Sequence, residues 1–236
     1  MLIIAIPKSA STSLTATLSE LHGLRIASAE VRSQIVARCP EAAAFRQIAN
    51  FHRREVVELD ARAVAAVSAP GAIVKFHFPP TENNQARLRD LPKLILLRNV
   101  EEIVSAYRRG DETGAFRLKS HEFCYCLSEQ GWFARAEKFG LLAELRAFAA
   151  EWRAHDGDKL VVESAELIAD PAAVLGRVES YFGLPSSGGS TLRREKFSRG
   201  PEPRPRSPLE ILFARRVLIA KRLASDLRKL ATGVPL

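Results

Sequence analysis

The sequence predicts an α/β fold: one domain over 1–236 with a central parallel sheet flanked by helices. Three observations carry this. Four short apolar runs, Leu2–Ile6, Ala72–Lys75 running on to His77, Lys93–Leu97 and Lys159–Val162, are rich in Ile, Val and Leu. They do not alternate, as strands covered on both faces do not. Helical patterns lie between them, which points to parallel strands joined by crossovers. The length, 236 residues and 26.1 kDa, suits one large α/β domain.

Taken in order, Leu2–Ile6 is the first strand and Thr12–Leu21 the first helix, stopped by Gly23. Leu24–Ala27 is a candidate fifth strand. Ala72–His77 and Lys93–Leu97 follow. Glu101–Arg109 reads as a helix ending at Gly110, and Gln130–His155 as one or two helices. After Lys159–Val162, Pro171–Phe182 places Val174, Leu175, Val178 and Phe182 at helical spacing. Residues 186–206 are a polar, basic loop rich in Ser, Gly, Pro and Arg. A final helix spans 207–232, opened by Ser207 as N-cap, Pro208 at N1 and Glu210 completing a capping box.

Composition narrows the function. The apolar share of 47% and charged share of 26% exclude a disordered or collagen-like chain. No apolar run is long enough to cross a bilayer. Leu2–Ile6 is cut short by Pro7-Lys8, so a secretory leader is not expected and a cytoplasmic location is. Three cysteines do not make a disulfide framework. The net charge is +8, and residues 186–236 hold all of the excess, with 12 Lys/Arg against 4 Asp/Glu. That tail is either a surface for a polyanion or a solvated basic loop and helix.

The expected carboxyl ends of the strands hold the chemistry. Pro7-Lys8-Ser9-Ala10-Ser11-Thr12-Ser13 joins the first strand to the first helix. Hydroxyls, a lysine and a helix N-terminus make either a phosphate cradle or a Ser/Thr-rich cap beside an exposed lysine. It is not a Walker A loop, which needs two glycines and a late lysine. Lys75 and His77 are two apart and so share one face. His77 can accept a proton near neutral pH, and Lys75 beside it would favour the neutral ring and supply positive charge. A strand end reaching solvent would look the same. Arg98 ends the next strand, suited to bind phosphate or to pair with Glu101 or Glu102. Ser105 lies about two turns into the following helix.

Together these segments resemble the sulfotransferases that use 3′-phosphoadenosine 5′-phosphosulfate (PAPS). Pro7-Lys8-Ser9-Ala10-Ser11-Thr12 is similar to their P-K-[ST]-G-[ST]-T loop, and Lys75-Phe76-His77-Phe78-Pro79 to their K-x-H-x-P segment. Arg98-Asn99 through Ser105 resembles R-[ND]-P-x-[DE]-x-x-x-S. Val162-Glu163-Ser164 through Asp170-Pro171 and Phe182-Gly183-Leu184 is similar to a late family segment. The resemblance implies a P-loop NTPase-like fold and sulfuryl transfer from PAPS to a hydroxyl or amine of an acceptor the sequence does not identify. It implies that Lys8, with Ser9, Ala10, Ser11, Thr12 and Ser13, holds the 5′-phosphosulfate. Arg98 and Ser105 would hold the 3′-phosphate, His77 would be the general base, and Lys75 would steady the sulfuryl oxygens. A basic segment closing over the nucleotide would be Arg199-Gly200, with Arg193, Arg194 and Lys196 as alternatives. No metal, nucleic acid or membrane span is implied.

The chain departs from the pattern in places. Ala10 stands for the loop glycine and Val100 for a proline. Arg98 to Ser105 is one residue short, a rotation of about 100° on a helix. Ser164 stands where many members carry a tyrosine that touches adenine; Trp132, Phe133 and Phe197 are candidate substitutes. The rival readings are a sulfotransferase-like binding protein without turnover, an ATP-dependent phosphotransferase on a similar fold, and a nucleic-acid binder. Cys124 and Cys126 read as free thiols and His121 as a possible substrate contact.

Overall fold

Five parallel strands form the sheet of the computed structural model: β1 (Leu2–Ala5), β2 (Arg25–Ile26), β3 (Ala72–Phe76), β4 (Lys93–Leu97) and β5 (Lys159–Glu163). Their order is β2-β3-β1-β4-β5. The structure describes residues 1–28, 59–113, 128–138, 140–188 and 191–193, with positions 209 and 220. Arg199, Gly200, His121, Cys124, Cys126, the 207–232 helix and most of the 186–206 loop lie outside these residues.

Eight helices are described: α1 (Ser11–His22), α2 (Ala61–Val67), α3 (Glu82–Leu88), α4 (Val100–Thr113), α5 (Glu129–Lys138), α6 (Leu141–Ala154), α7 (Ser164–Ala169) and α8 (Pro171–Phe182). The expected fold class, a central parallel sheet flanked by helices, is the one the chain forms. The expected fifth strand is present as β2. The Gln130–His155 pattern is two helices, parted at Gly140, which takes φ 76° as the N-cap of α6. Gly110 does not stop α4, which continues to Thr113. One interior glycine costs about 1 kcal/mol relative to alanine, and burial of Ile103, Val104 and Tyr107 along the helix outweighs it.

The chain groups into two compact units. The first, Met1–Ile103 with Gly140–Lys196, contains the sheet. Pairing of Ile3 with Lys75 and Leu94, and of Ala5 and Val162 with Leu96, sets the two faces. On one face Ile3, Ala5, Ile73, Leu94, Leu96 and Val162 meet Leu14 and Leu18 of α1, Leu167 of α7, and Val174, Leu175 and Val178 of α8. On the other, α6 packs against β4. Its buried face carries Leu145, Phe148 and Trp152, spaced for one side of a helix.

The second unit is Val104–Phe139 with Phe197–Leu236. Its described part is the body of α4 and all of α5. Ser128 caps α5 by accepting from the Gly131 amide at 3.0 Å, and Trp132 and Ala136 are buried. Burial pushes the Tyr107 hydroxyl well above the usual phenol range.

The amino ends of the strands hold a buried polar feature. Lys93 opens β4 with its side chain fully buried. Its Nζ donates to the carbonyls of Asp158 at 2.7 Å and Arg89 at 3.3 Å. Burial brings its pKa down to about 8, with Lys159 adding to the fall against Asp158.

Among the described residues no helix is long and apolar enough to cross a membrane.

Candidate active site at the carboxyl edge of the sheet

β1 leads through α1 toward β2 on one side of the sheet, and β4 leads toward β5 on the other. The neighbours β1 and β4 therefore send their chains in opposite directions, and a crevice opens between their carboxyl ends. Two of the expected site residues meet in it. Arg98, just past β4, donates from Nη1 to the carbonyl of Lys8, just past β1, at 2.5 Å.

The loop after β1 is strained in a specific way. Lys8 has φ 62° and Ala10 has φ 64°, both left-handed. For an L-residue other than glycine that conformation costs about 1–2 kcal/mol. Hydrogen bonds from outside the two residues hold it. Ile6 donates its amide to Leu96 at 2.9 Å, Ser9 Oγ donates to the Ile6 carbonyl at 2.7 Å, and Arg98 holds the Lys8 carbonyl. The Ala10 carbonyl then accepts the first bond of α1, from Leu14 at 3.1 Å. Ala10 is the N-cap and has no side-chain oxygen to offer, so α1 begins without a side-chain cap. The amides of its first turn face the loop under a partial positive charge.

Ala10 thus occupies a backbone position that favours glycine. Ala10→Gly should stabilise the protein by about 0.5–1 kcal/mol, the left-handed cost less the extra unfolded-state entropy of glycine. Urea denaturation checks it; a loss of stability would mean that Ala10 bears no strain.

The loop's side chains have different surroundings. Ser9 and Ser11 are buried, with Ser9 turned onto Ile6, while Thr12 and Ser13 are half-buried. Lys8 is half-buried, and burial, then the nearby Arg98, hold its ammonium below the usual lysine range.

On the other side of β1, β3 carries Lys75 on the face that α1 covers, and His77 directly follows the strand. The Lys75 amide donates to Ser28 Oγ at 3.0 Å, and its side chain is half-buried. His77 Nδ1 lies 2.5 Å from the carbonyl of Ala5. A carbonyl only accepts, so Nδ1 carries the proton and the neutral ring has its lone pair on Nε2. That is the tautomer a general base needs. Behind it, Phe76 and Phe78 stack at 4.7 Å with 12° between rings, and Trp152 Nε1 donates to the Phe78 carbonyl at 2.9 Å.

Arg98 also donates from Nε to Glu102 at 3.0 Å, so it both braces the loop and forms one of the two ion pairs its spacing allowed. Glu101 instead takes Arg146 at 2.8 Å, and this bond lowers its carboxyl pKa. Ser105 lies in the second unit, where its hydroxyl donates to Glu129 at 2.7 Å. Trp132 is buried there and Phe133 half-buried.

Beyond Arg98 a groove of about 470 Å³ runs along the ends of β4 and β5. Arg98, Glu102, Arg146, Arg153, Glu163 and Ser164 are on its walls, with Ala149, Ala150 and Ala165 between them. Arg153 pairs with Glu163, the last residue of β5. Sequence reasoning missed Arg146 and Arg153. Their spacing of seven, with alanines between, places both on one side of α6 and was the available signal.

The route toward the basic tail is fastened to α1. The Arg193 amide donates to Thr17 Oγ1 at 2.8 Å, and its guanidinium reaches Glu20 at 3.1 Å. Glu179, buried in α8, accepts from His22 at 3.1 Å and from the Ser187 hydroxyl. Burial raises its pKa, but the Ser187 and His22 bonds outweigh it and leave the carboxyl below its usual range.

No protein-family model matches this chain, and no curated protein does. Among solved structures it is similar to the crystal structure of a sulfotransferase from Alicyclobacillus acidocaldarius. Identity is 17%, over 100% of this chain and 96% of that one, with a TM-score of 0.49.

Proposed function

We propose that the chain binds PAPS at the β1–β4 crevice and transfers its sulfuryl group to a hydroxyl or amine, with His77 as the general base. One observation carries the reading: His77 is set in the base tautomer by Ala5, three residues before the lysine of a backbone-braced loop. Base and anion cradle thus lie at the ends of adjacent strands.

In the proposed step the acceptor oxygen or nitrogen attacks sulfur and His77 Nε2 takes its proton. The bond from sulfur to the bridging oxygen breaks, and 3′-phosphoadenosine 5′-phosphate leaves. The Lys8 ammonium and the first-turn amides of α1 would stabilise the charge growing on that oxygen. Lys75 would face the sulfuryl oxygens. Arg98 would hold the 3′-phosphate, and the groove beyond it has the volume for a nucleoside. The proposed donor is a co-substrate and no resident metal is invoked. A cytoplasmic location belongs to the same proposal.

The test is calorimetric titration with 3′-phosphoadenosine 5′-phosphate against ATP and ADP without Mg²⁺. The 3′-phosphorylated nucleotide should bind more tightly. Lys8→Ala and Arg98→Ala should each weaken it by about 10- to 100-fold, the range for a lost charge-assisted hydrogen bond. Equal affinity for all three, or ATP binding that requires Mg²⁺, would overturn the reading and favour a phosphotransferase.

A further inference from the structure

We infer that Glu102 is a resident anion on Arg98 that the donor's 3′-phosphate displaces, and that it sets how strongly the site prefers 3′-phosphorylated nucleotides. The inference rests on the donor reading above. A guanidinium offers two forks to a bidentate anion: Nε with Nη2 along its side, and Nη1 with Nη2 at its end. In Arg98 one donor of each fork is taken. The Lys8 carbonyl holds Nη1 and Glu102 holds Nε. A phosphate that binds Arg98 through a fork therefore shares or replaces one of these partners.

The two partners differ in how easily they leave. The Lys8 carbonyl is backbone, fixed between the Ile6 amide bond to Leu96 and the Ser9 bond to Ile6. Moving it undoes the left-handed loop. Glu102 is a side chain with 58% of its surface exposed, against 17% for Arg98, so it can turn into water while Arg98 stays in place. Its amide is held separately by Asn99 Oδ1 at 3.0 Å, so the start of α4 survives the exchange. Glu101 does not take over, because Arg146 holds it. The side fork, Nε with Nη2, is thus the one a 3′-phosphate enters, and Glu102 is what it displaces. The Lys8 bond persists throughout, so the nucleotide would load a guanidinium already attached to the phosphosulfate loop. Glu102 opposes this by occupying the fork and by repelling the dianion.

The experiment compares 3′-phosphoadenosine 5′-phosphate with adenosine 5′-monophosphate, which lacks only the 3′-phosphate, on wild type and Glu102→Gln by calorimetry. Glu102→Gln should tighten the 3′-phosphorylated nucleotide by about 2- to 5-fold, the range for an exposed ion pair. Affinity for the monophosphate should stay within about 1.5-fold, because the change acts only at the 3′-phosphate. A ratio between the two nucleotides unchanged from wild type, or lower, would overturn the exchange while leaving the donor reading intact. Binding of neither nucleotide to the wild type would overturn the donor reading and the exchange with it.

Discussion

Replacing His77 with asparagine should lower sulfuryl transfer by about 10²- to 10⁴-fold, the usual contribution of a positioned general base. Affinity for 3′-phosphoadenosine 5′-phosphate should change by less than about twofold, since the ring is proposed to touch the acceptor and not the nucleotide. Asparagine is the informative choice. Its amide nitrogen can still donate to the Ala5 carbonyl, so the link between β3 and β1 survives, but it offers no basic nitrogen. His77→Ala removes both, and exogenous imidazole should restore part of its rate if a base is what was lost. Steady-state kinetics with a generic hydroxyl acceptor, beside calorimetry of the same variants, separates the outcomes. Turnover within a few-fold of wild type would remove His77 from the chemistry. Turnover absent from the wild type as well, with nucleotide binding retained, would leave a binding protein.

How far the fold could be read from the sequence depends on how local each cause is. β4 was legible residue for residue, because Lys93–Leu97 lies between turns and is apolar enough to be covered on both faces. α8 was equally legible from Pro171 at its start, Gly183 at its end and the spacing between. The site residues were legible as types in a spacing, but their geometry was not. Ala10 stands for a loop glycine, which hinted at a left-handed backbone there, but nothing near Lys8 announces one. The conformation is held by Arg98, ninety residues on. The choice of Glu102 over Glu101 for Arg98 follows from the helix that starts between them, which brings residues four apart together. The burial of Lys93 had no local cause to read, because the carbonyls of Arg89 and the distant Asp158 take its ammonium. Arg146 and Arg153 had a local signal but no local reason for use, because the opposite wall of their groove comes from α4 and β5.

Trp152→Ala should destabilise the protein by about 3–5 kcal/mol, the range for truncating a buried aromatic without collapse of the cavity. Trp152 is fully buried on α6 and meets His155 edge-on at 5.3 Å. The more instructive change is Trp152→Phe. It keeps most of the apolar volume and removes the Nε1 donor to the Phe78 carbonyl. A buried carbonyl without its donor costs about 1–3 kcal/mol, a loss that urea denaturation resolves. Phe78 directly follows His77, and Phe76, directly before it, stacks on Phe78. The imidazole that donates to Ala5 is therefore carried on a segment whose next residue is held by Trp152. If that hold positions the base, Trp152→Phe should lower kcat several-fold at a temperature where the variant is fully folded, with the nucleotide affinity unchanged. A variant that loses stability but keeps its kcat would show that the Trp152 bond to Phe78 does not orient His77. Trp152 would then serve the core and not the chemistry.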